Sequence, residues 1–232
     1  MSEEVQNNEL VTSEEDTGEY IVYVVDTETT GLDADKHDII EFSASRFRLS
    51  NPSKIDQKTW YLTPLRPENI DQEALDINKH KREDLLHQTE FGRETYQNPE
   101  DVIVDIENWV MEDRMSAIDR FICGQNVTFD TIRMEKLWEK LDSVSTFPFD
   151  FTNGNRIFDT MHFAGAIDLM VGRRRRYYNL SNLVKAFGVK KRKAHRAEDD
   201  VAMTLDLMIA MLSPLINAAK ESFNQNYLDV DE

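Results

Sequence analysis

The sequence predicts an α/β protein built on a mixed five-stranded sheet, an antiparallel meander plus parallel strands, flanked by helices. Two observations carry that expectation. Apolar runs of strand length, joined by short turns, lie between residues 20 and 62, and helical and strand-like segments alternate afterwards. Hydrophobic residues make up 40% of the chain and aromatic ones 9%, enough to fill a core.

The elements follow in order. Tyr20-Ile21-Val22-Tyr23-Val24-Val25 is rich in β-branched and aromatic residues and reads as a buried strand closed by turn chemistry at Gly31. Residues 39–49 partly alternate, as a half-buried strand does, and Asn51-Pro52-Ser53 turns the chain into a third strand over 58–62. Short helices are expected over 71–77 and 81–88, then a longer one from Pro99, a residue suited to a first turn, to Glu112. Phe121–Gly124 reads as a short strand, Val127–Leu141 as a helix and 142–155 as a loop. Ile157-Phe158 begins a strand that leads into a helix over Thr160–Met170. Asn179 is placed to cap a helix ending at Ala186 before Gly188, and a last helix runs from about Ala197 to Ala219, bent at Pro214. The expected organisation is an acidic disordered leader over 1–19, one domain over 20–220 and an acidic tail over 221–232.

The chain has 44 acids against 27 Lys and Arg, a net charge of −17, which on average argues against nucleic acid. The average hides an asymmetry. The first Lys or Arg is Lys36, after Glu3, Glu4, Glu9, Glu14, Glu15, Asp16 and Glu19, whereas residues 172–196 hold many Lys and Arg and no acid. One cysteine, Cys123, excludes an internal disulfide and a multi-cysteine zinc site. With no signal peptide and no run of eighteen apolar residues, a cytoplasmic setting without a membrane partner is expected.

Asp26 and Glu28 stand at i and i+2 at the end of an apolar strand, on one face. A buried carboxylate needs compensation, and no Lys or Arg is nearby in sequence. On these residues alone two readings stay open: strand-end acids facing water, or ligands for a cation drawn from solution.

Asp26-Thr27-Glu28-Thr29-Thr30-Gly31-Leu32 resembles the first motif of the DnaQ-like, DEDDh-type 3'→5' exonucleases, which have the ribonuclease H-like fold. Gly124-Gln125-Asn126-Val127-Thr128-Phe129-Asp130 is similar to the second motif, and Ala194-His195-Arg196-Ala197-Glu198-Asp199-Asp200 to the third. Asp159-Thr160, Leu180-Ser181-Asn182-Leu183 and Phe187-Gly188-Val189 also fall in the family's order, so the resemblance covers roughly residues 20–212.

The resemblance implies metal-binding acids at Asp26, Glu28, Asp130 and Asp200 and a general base at His195. Four carboxylates make a hard oxygen site suited to Mg²⁺ or Mn²⁺ rather than Zn²⁺, and two such ions can serve an in-line phosphodiester displacement. His titrates near neutrality, which suits a base acting on water. In the last motif, Asp200 shares a helix face with Thr204, Met208 and Met211, while Asp199 faces Met203 and Asp206. Periodicity favours Asp200, the family's spacing from His195 favours it further, and Asp199 is the alternative.

The resemblance also implies substrate contacts. Thr29, Thr30, Gly31 and Leu32 correspond to the loop that meets the terminal nucleotide, against a plain reading of Gly31 as turn and Leu32 as core. Ile77 and Asn78 belong to a patch similar to the family's Ile-Asn-Gly-Ile, with Lys79 and His80 departing from it. Gln125 stands where many relatives have His, Asn126 follows it, and Phe129 serves either base stacking or core packing. Arg174, Arg175, Tyr177 and Lys193 lie in basic segments flanking a short helix, either a single-strand track or two solvated loops.

The expected activity is a metal-dependent 3'→5' exonuclease releasing 5'-mononucleotides from single-stranded DNA ends. It is expected to be free-standing or a polymerase's proofreading partner, since few residues follow the last helix. Gln225-Asn226-Tyr227-Leu228 resembles a sliding-clamp-binding peptide, so a polymerase or clamp is the expected protein partner. The rivals are an RNA-trimming 3' exoribonuclease and a non-catalytic end-binding protein on the same fold. Retention of all four acids and the His weighs against the last.

Overall fold

The computed structural model describes residues 20–48, 54–141, 146–151, 156–192 and 196–226. The leader over 1–19, most of the loop over 142–155, His195 and the end of the tail lie outside them. Five strands, β1 (Ile21–Thr29), β2 (Ile39–Arg48), β3 (Lys54–Tyr61), β4 (Arg120–Gly124) and β5 (Ile157–Asp159), form one sheet in the order β3-β2-β1-β4-β5. β1, β2 and β3 pair antiparallel, while β4 and β5 join in parallel, as the sequence predicts. Eight α-helices are described: α1 (Gln72–Asn78), α2 (Arg82–Leu85), α3 (Glu90–Thr95), α4 (Pro99–Met111), α5 (Thr128–Lys140), α6 (Thr160–Met170), α7 (Leu180–Ala186) and α8 (Ala197–Asn226).

β1 lies at the centre, and its alternation assigns each side chain to a face. Tyr23 and Val25 enter one core with Phe42, Trp60, Ile103, Ile106, Trp109 and Met134, beneath α4 and α5. Val22 and Val24 enter the other with Phe121, Leu183, Val201, Leu205 and Met208, beneath α6, α7 and α8. Burying each such aliphatic side chain is worth about 1.5–3 kcal/mol. α8 is apolar enough by composition to cross a membrane, yet half of that stretch is buried inside the protein.

Several element ends carry their own chemistry. Asn98 accepts a hydrogen bond from the Glu100 amide ahead of Pro99, Asp159 does so from Met161, and Asn179 from Asn182. Gly188 adopts a left-handed φ of 71° where α7 ends.

Several boundaries differ from expectation, among them that of α2, which ends at Leu85 rather than 88. β3 begins at Lys54, because pairing with β2 extends the strand past its apolar residues. α3, absent from the sequence reading, is capped by Thr89 and contains Gly92, whose missing Cβ would lie 2.3 Å from the Asp84 carbonyl oxygen. A residue unfavourable to helices is thus kept for close approach to α2. α8 continues through Pro214 to Asn226, so the helix, not a tail, occupies 221–226, including Gln225 and Asn226 of the clamp-like peptide. Tyr227 and Leu228 lie outside the described residues.

Candidate active site

Asp26 and Glu28 leave β1 on the face covered by α8, near the strand's carboxyl end, where open α/β sheets bind ligands. The first turn of α8 brings Asp200 to them. One carboxylate oxygen from each of Asp26, Glu28 and Asp200 lies within 4.8 Å of the others. Asp130 arrives from the first turn of α5 and is buried, its Oδ1 accepting hydrogen bonds from the Thr27 amide (2.9 Å) and hydroxyl (2.7 Å). It thereby stands beside the three acids without being one of the close group. Asp159 steadies this approach by accepting from the amide of Val127 (3.0 Å) just ahead of α5.

Every influence on Asp26 pushes the same way. Burial, then the charges of Asp130, Glu28, Asp200 and Glu41, raise its pKa well above the ordinary carboxylate range. Burial and then Glu41, Asp200 and Asp130 push Glu28 up to about 8, opposed by a hydrogen bond from Asn78. Burial pushes Asp130 up to about 7 against the Thr27 hydrogen bonds and the Arg133 charge. Like charges held this close are relieved by protonation or by a bound cation. The donors of the close group are all carboxylate oxygens, the hard ligands that small divalent ions prefer. The residues therefore fit a hard divalent ion.

The loop after β1 is held firmly. The Thr30 amide donates to the Asp38 carbonyl (2.9 Å), and the Thr30 hydroxyl accepts from the Asp38 amide (3.0 Å). The Thr29 hydroxyl donates to the Gly31 carbonyl (2.8 Å). A Cβ on Gly31 would meet the His37 ring at 2.5 Å, so a larger residue there would have to displace that ring. From this braced loop Leu32 projects into solvent, 81% exposed, which excludes the reading of Leu32 as core. Arg133 donates to the Leu32 carbonyl and lies over the Phe129 ring, so Phe129 has an internal stacking partner. Ile77 is exposed on α1.

Three residues expected to contact substrate have internal partners. Asn78 is buried and donates to the Thr29 carbonyl (3.0 Å), bracing β1. The Gln125 amide donates to the Tyr178 carbonyl (2.8 Å) and accepts from the Thr160 hydroxyl (2.6 Å). Arg175 forms a two-point ion pair with the buried Asp168 (2.8 and 3.1 Å). Each thus has at least one hydrogen bond within the fold. Asn126, with a left-handed φ of 57°, is exposed, as are Arg174 and Tyr177, with Arg176 over the Tyr177 ring. His195 and Lys193 fall outside the described residues. Arg192 before them pairs with Asp206 (3.0 Å), and Arg196 after them lines a cavity of about 650 Å³.

That cavity contains what sequence reasoning missed. Glu41 lies opposite Glu28 in the β1–β2 register. It pairs with His80 (2.9 Å), whose other ring nitrogen meets the Tyr96 hydroxyl (2.5 Å). The available signal was an acid between Ile40 and Phe42, inside an apolar strand start.

Comparison with known proteins adds to this geometry. A family model described as RNase_T, Exonuclease, matches residues 23–208. The DNA polymerase III subunit epsilon of Treponema pallidum (strain Nichols) is 27% identical over 188 residues, covering 81% of this chain and 74% of that protein. Among solved structures, the zinc-bound E. coli exonuclease I–single-stranded DNA complex superposes with a TM-score of 0.67 at 18% identity, covering 90% of this chain and 44% of that one. Exonuclease I from Methylocaldum szegediense gives 0.63 at 19% identity, covering 87% and 43%. The chain thus spans less than half the length of these structures, and the likeness establishes the ribonuclease H-like fold.

Proposed function

The chain belongs to the exonuclease family whose model it matches over residues 23–208, and on that premise we propose that it hydrolyses DNA from the 3' end, preferring single-stranded ends. The close oxygen cluster of Asp26, Glu28 and Asp200, with Asp130 beside it, carries this reading. Two Mg²⁺ or Mn²⁺ ions, when bound, would supply positive charge to an in-line displacement. Asp26, Glu28, Asp130 and Asp200 would hold them.

The remaining roles belong to the chain itself. His195 takes the proton of the attacking water. Water oxygen bonds to the scissile phosphorus, the bond from phosphorus to the 3' oxygen of the penultimate nucleotide breaks, and that oxygen is protonated. A 5'-mononucleotide and a strand shorter by one nucleotide leave. Leu32, apolar and exposed on a braced loop, packs against the terminal base, and the exposed Ile77 of α1 offers a second apolar contact. Arg174, Tyr177 and Lys193 follow the strand upstream, charge on the phosphates and ring on a base. DNA is favoured over RNA because one relative is named as a DNA polymerase subunit and E. coli exonuclease I has been seen with single-stranded DNA. A polymerase carried on another chain is the partner this kinship suggests.

A gel time course tests the reading with 5'-labelled single-stranded DNA and a matched RNA, each in Mg²⁺ and in EDTA, beside Asp26→Asn. A ladder shortening from the 3' end, dependent on Mg²⁺, absent in the variant and faster on DNA, is expected. Equal or faster trimming of RNA would move the substrate class, and inertness on both strands would overturn the enzymatic reading.

A further inference from the structure

Glu41 is a carboxylate that neither the four-acid motif nor the sequence reading assigns. In the antiparallel ladder it stands directly opposite Glu28, so both side chains leave the same face of the sheet. Two acids in this relation repel, and nothing about strand formation requires the pair. Glu41 is 2% exposed, yet only one of its oxygens is satisfied. Oε2 meets His80 Nε2 at 2.9 Å, while Oε1 is buried without a hydrogen-bond partner. An unsatisfied buried oxygen is costly, and more so when charged.

The support behind Glu41 is elaborate for a side chain with no task. His80 comes from the turn after α1, where a left-handed Lys79 (φ 66°) ends the helix. Its Nδ1 meets the Tyr96 hydroxyl at 2.5 Å, and Tyr96 packs edge-on to Tyr61. This chain of contacts holds the Glu41 carboxylate through Oε2 and leaves Oε1 without a hydrogen-bond partner. Glu41 also lines the 650 Å³ cavity with Tyr61 and Arg196, space that water can enter. It is not one of the three acids whose oxygens lie within 4.8 Å of each other. Its reach to a cation therefore runs through water, and small divalent ions keep several waters when bound.

We propose that Glu41 is a positioning residue of the cation centre: Oε1 accepts a hydrogen bond from water in the hydration shell of the divalent ion, and His80, held by Tyr96, sets the orientation of that carboxylate. The inference rests on the divalent-cation reading above. Outer contacts of this kind commonly govern metal affinity by about 10–100-fold.

Calorimetric titration of the substrate-free full chain with Mn²⁺ separates the outcomes, with Asp26→Asn as the variant of a direct ligand. Glu41→Gln and Glu41→Asp are each expected to weaken Mn²⁺ by about tenfold or more, with the Mn²⁺ concentration for half-maximal rate rising in parallel. The shorter Asp keeps the charge and withdraws the oxygen, so its loss distinguishes a placed water contact from general negative charge. His80→Gln, which retains an N–H donor for Oε2, is expected to keep most of the affinity, and His80→Leu to lose it as Glu41→Gln does. Melting curves in EDTA identify any variant that fails to fold, and the remaining three then carry the test. Wild-type affinity in Glu41→Asp, or in both Glu41 variants, overturns the proposal and returns Glu41–His80 to a packing pair. Absence of Mn²⁺ binding by the wild type would instead overturn the cation reading beneath it.

Discussion

β1 carries two polar clusters of opposite design. Toward its start, the Tyr23 hydroxyl donates to Asp113 (2.5 Å), and Arg120 grips the same carboxylate at two points (2.9 and 2.8 Å). Arg120 also donates to the Pro148 and Met115 carbonyls, and both charged side chains are 1% exposed. Near its other end, Asp26 and Glu28 gather with Asp200, Asp130 and Glu41, and each of the four neighbours raises Asp26. The first cluster is complete within the chain. The second gathers like charges that a cation from outside would complete. A buried charge with its counter-charge built in serves the fold, whereas like charges held together lower stability for the sake of a ligand.

The largest effects come from removing one charge at each end. Arg120→Met leaves Asp113 buried without its partner, and urea denaturation should show a loss of about 3–5 kcal/mol. Asp26→Asn should reduce 3' trimming by about a thousandfold or more, since a preorganised charge at the reacting phosphate is lost. In EDTA the same variant should melt at or above the wild-type temperature, because a source of repulsion has gone. An Asp26→Asn protein destabilised in EDTA as severely as Arg120→Met would erase the distinction between the clusters.

The two ends also respond oppositely to pH. Glu28 at about 8 and Asp130 at about 7 lie above their ordinary values of 4.5 and 3.8, so the metal-free folded protein binds more protons than the unfolded chain between those limits. Their contribution is fully present below the ordinary carboxylate range and is lost as pH rises through 7 to 8. Asp113, held below 3.8 by Arg120 despite burial, contributes above that value and loses it as pH falls further. The melting temperature in EDTA should therefore fall between about pH 5 and pH 8, and added Mg²⁺ should remove most of that decline by replacing the protons. A flat profile in EDTA would mean that the acids are solvated and exert no strain.

What was legible in the sequence and what was not divides along the same line. Asp26, Glu28, Asp130 and Asp200 sit in short local patterns, and α6 and α7 announce themselves through Asp159, Asn179 and Gly188. These signals depend on neighbours within a few residues. Glu41–His80–Tyr96 joins β2, the turn after α1 and the end of α3, and no local pattern predicts such a contact. The engagement of Gln125 by Thr160 and Tyr178, and of Arg175 by Asp168, is equally long in reach or dependent on how a loop folds back. The resemblance indicated residue types near a nucleotide. It carried no information on which of those side chains the fold had already engaged.

The run Arg173-Arg174-Arg175-Arg176 repeats the contrast on a smaller scale. Arg175 is folded onto Asp168 and lies over the Tyr178 and Phe187 rings, while Arg174 is exposed. Arg175→Ala strands a buried carboxylate and should lower stability by about 1–3 kcal/mol. Its effect on the salt dependence of single-strand binding should be small. Arg174→Ala should leave the melting temperature within error and flatten the plot of log affinity against log salt by about 0.7, the slope that one single-strand phosphate contact contributes. Fluorescence anisotropy with a labelled oligonucleotide at several salt concentrations reads that slope. A slope change in Arg175→Ala and none in Arg174→Ala would reverse the assignment, making the internal ion pair one that opens to substrate and the exposed arginine merely solvated.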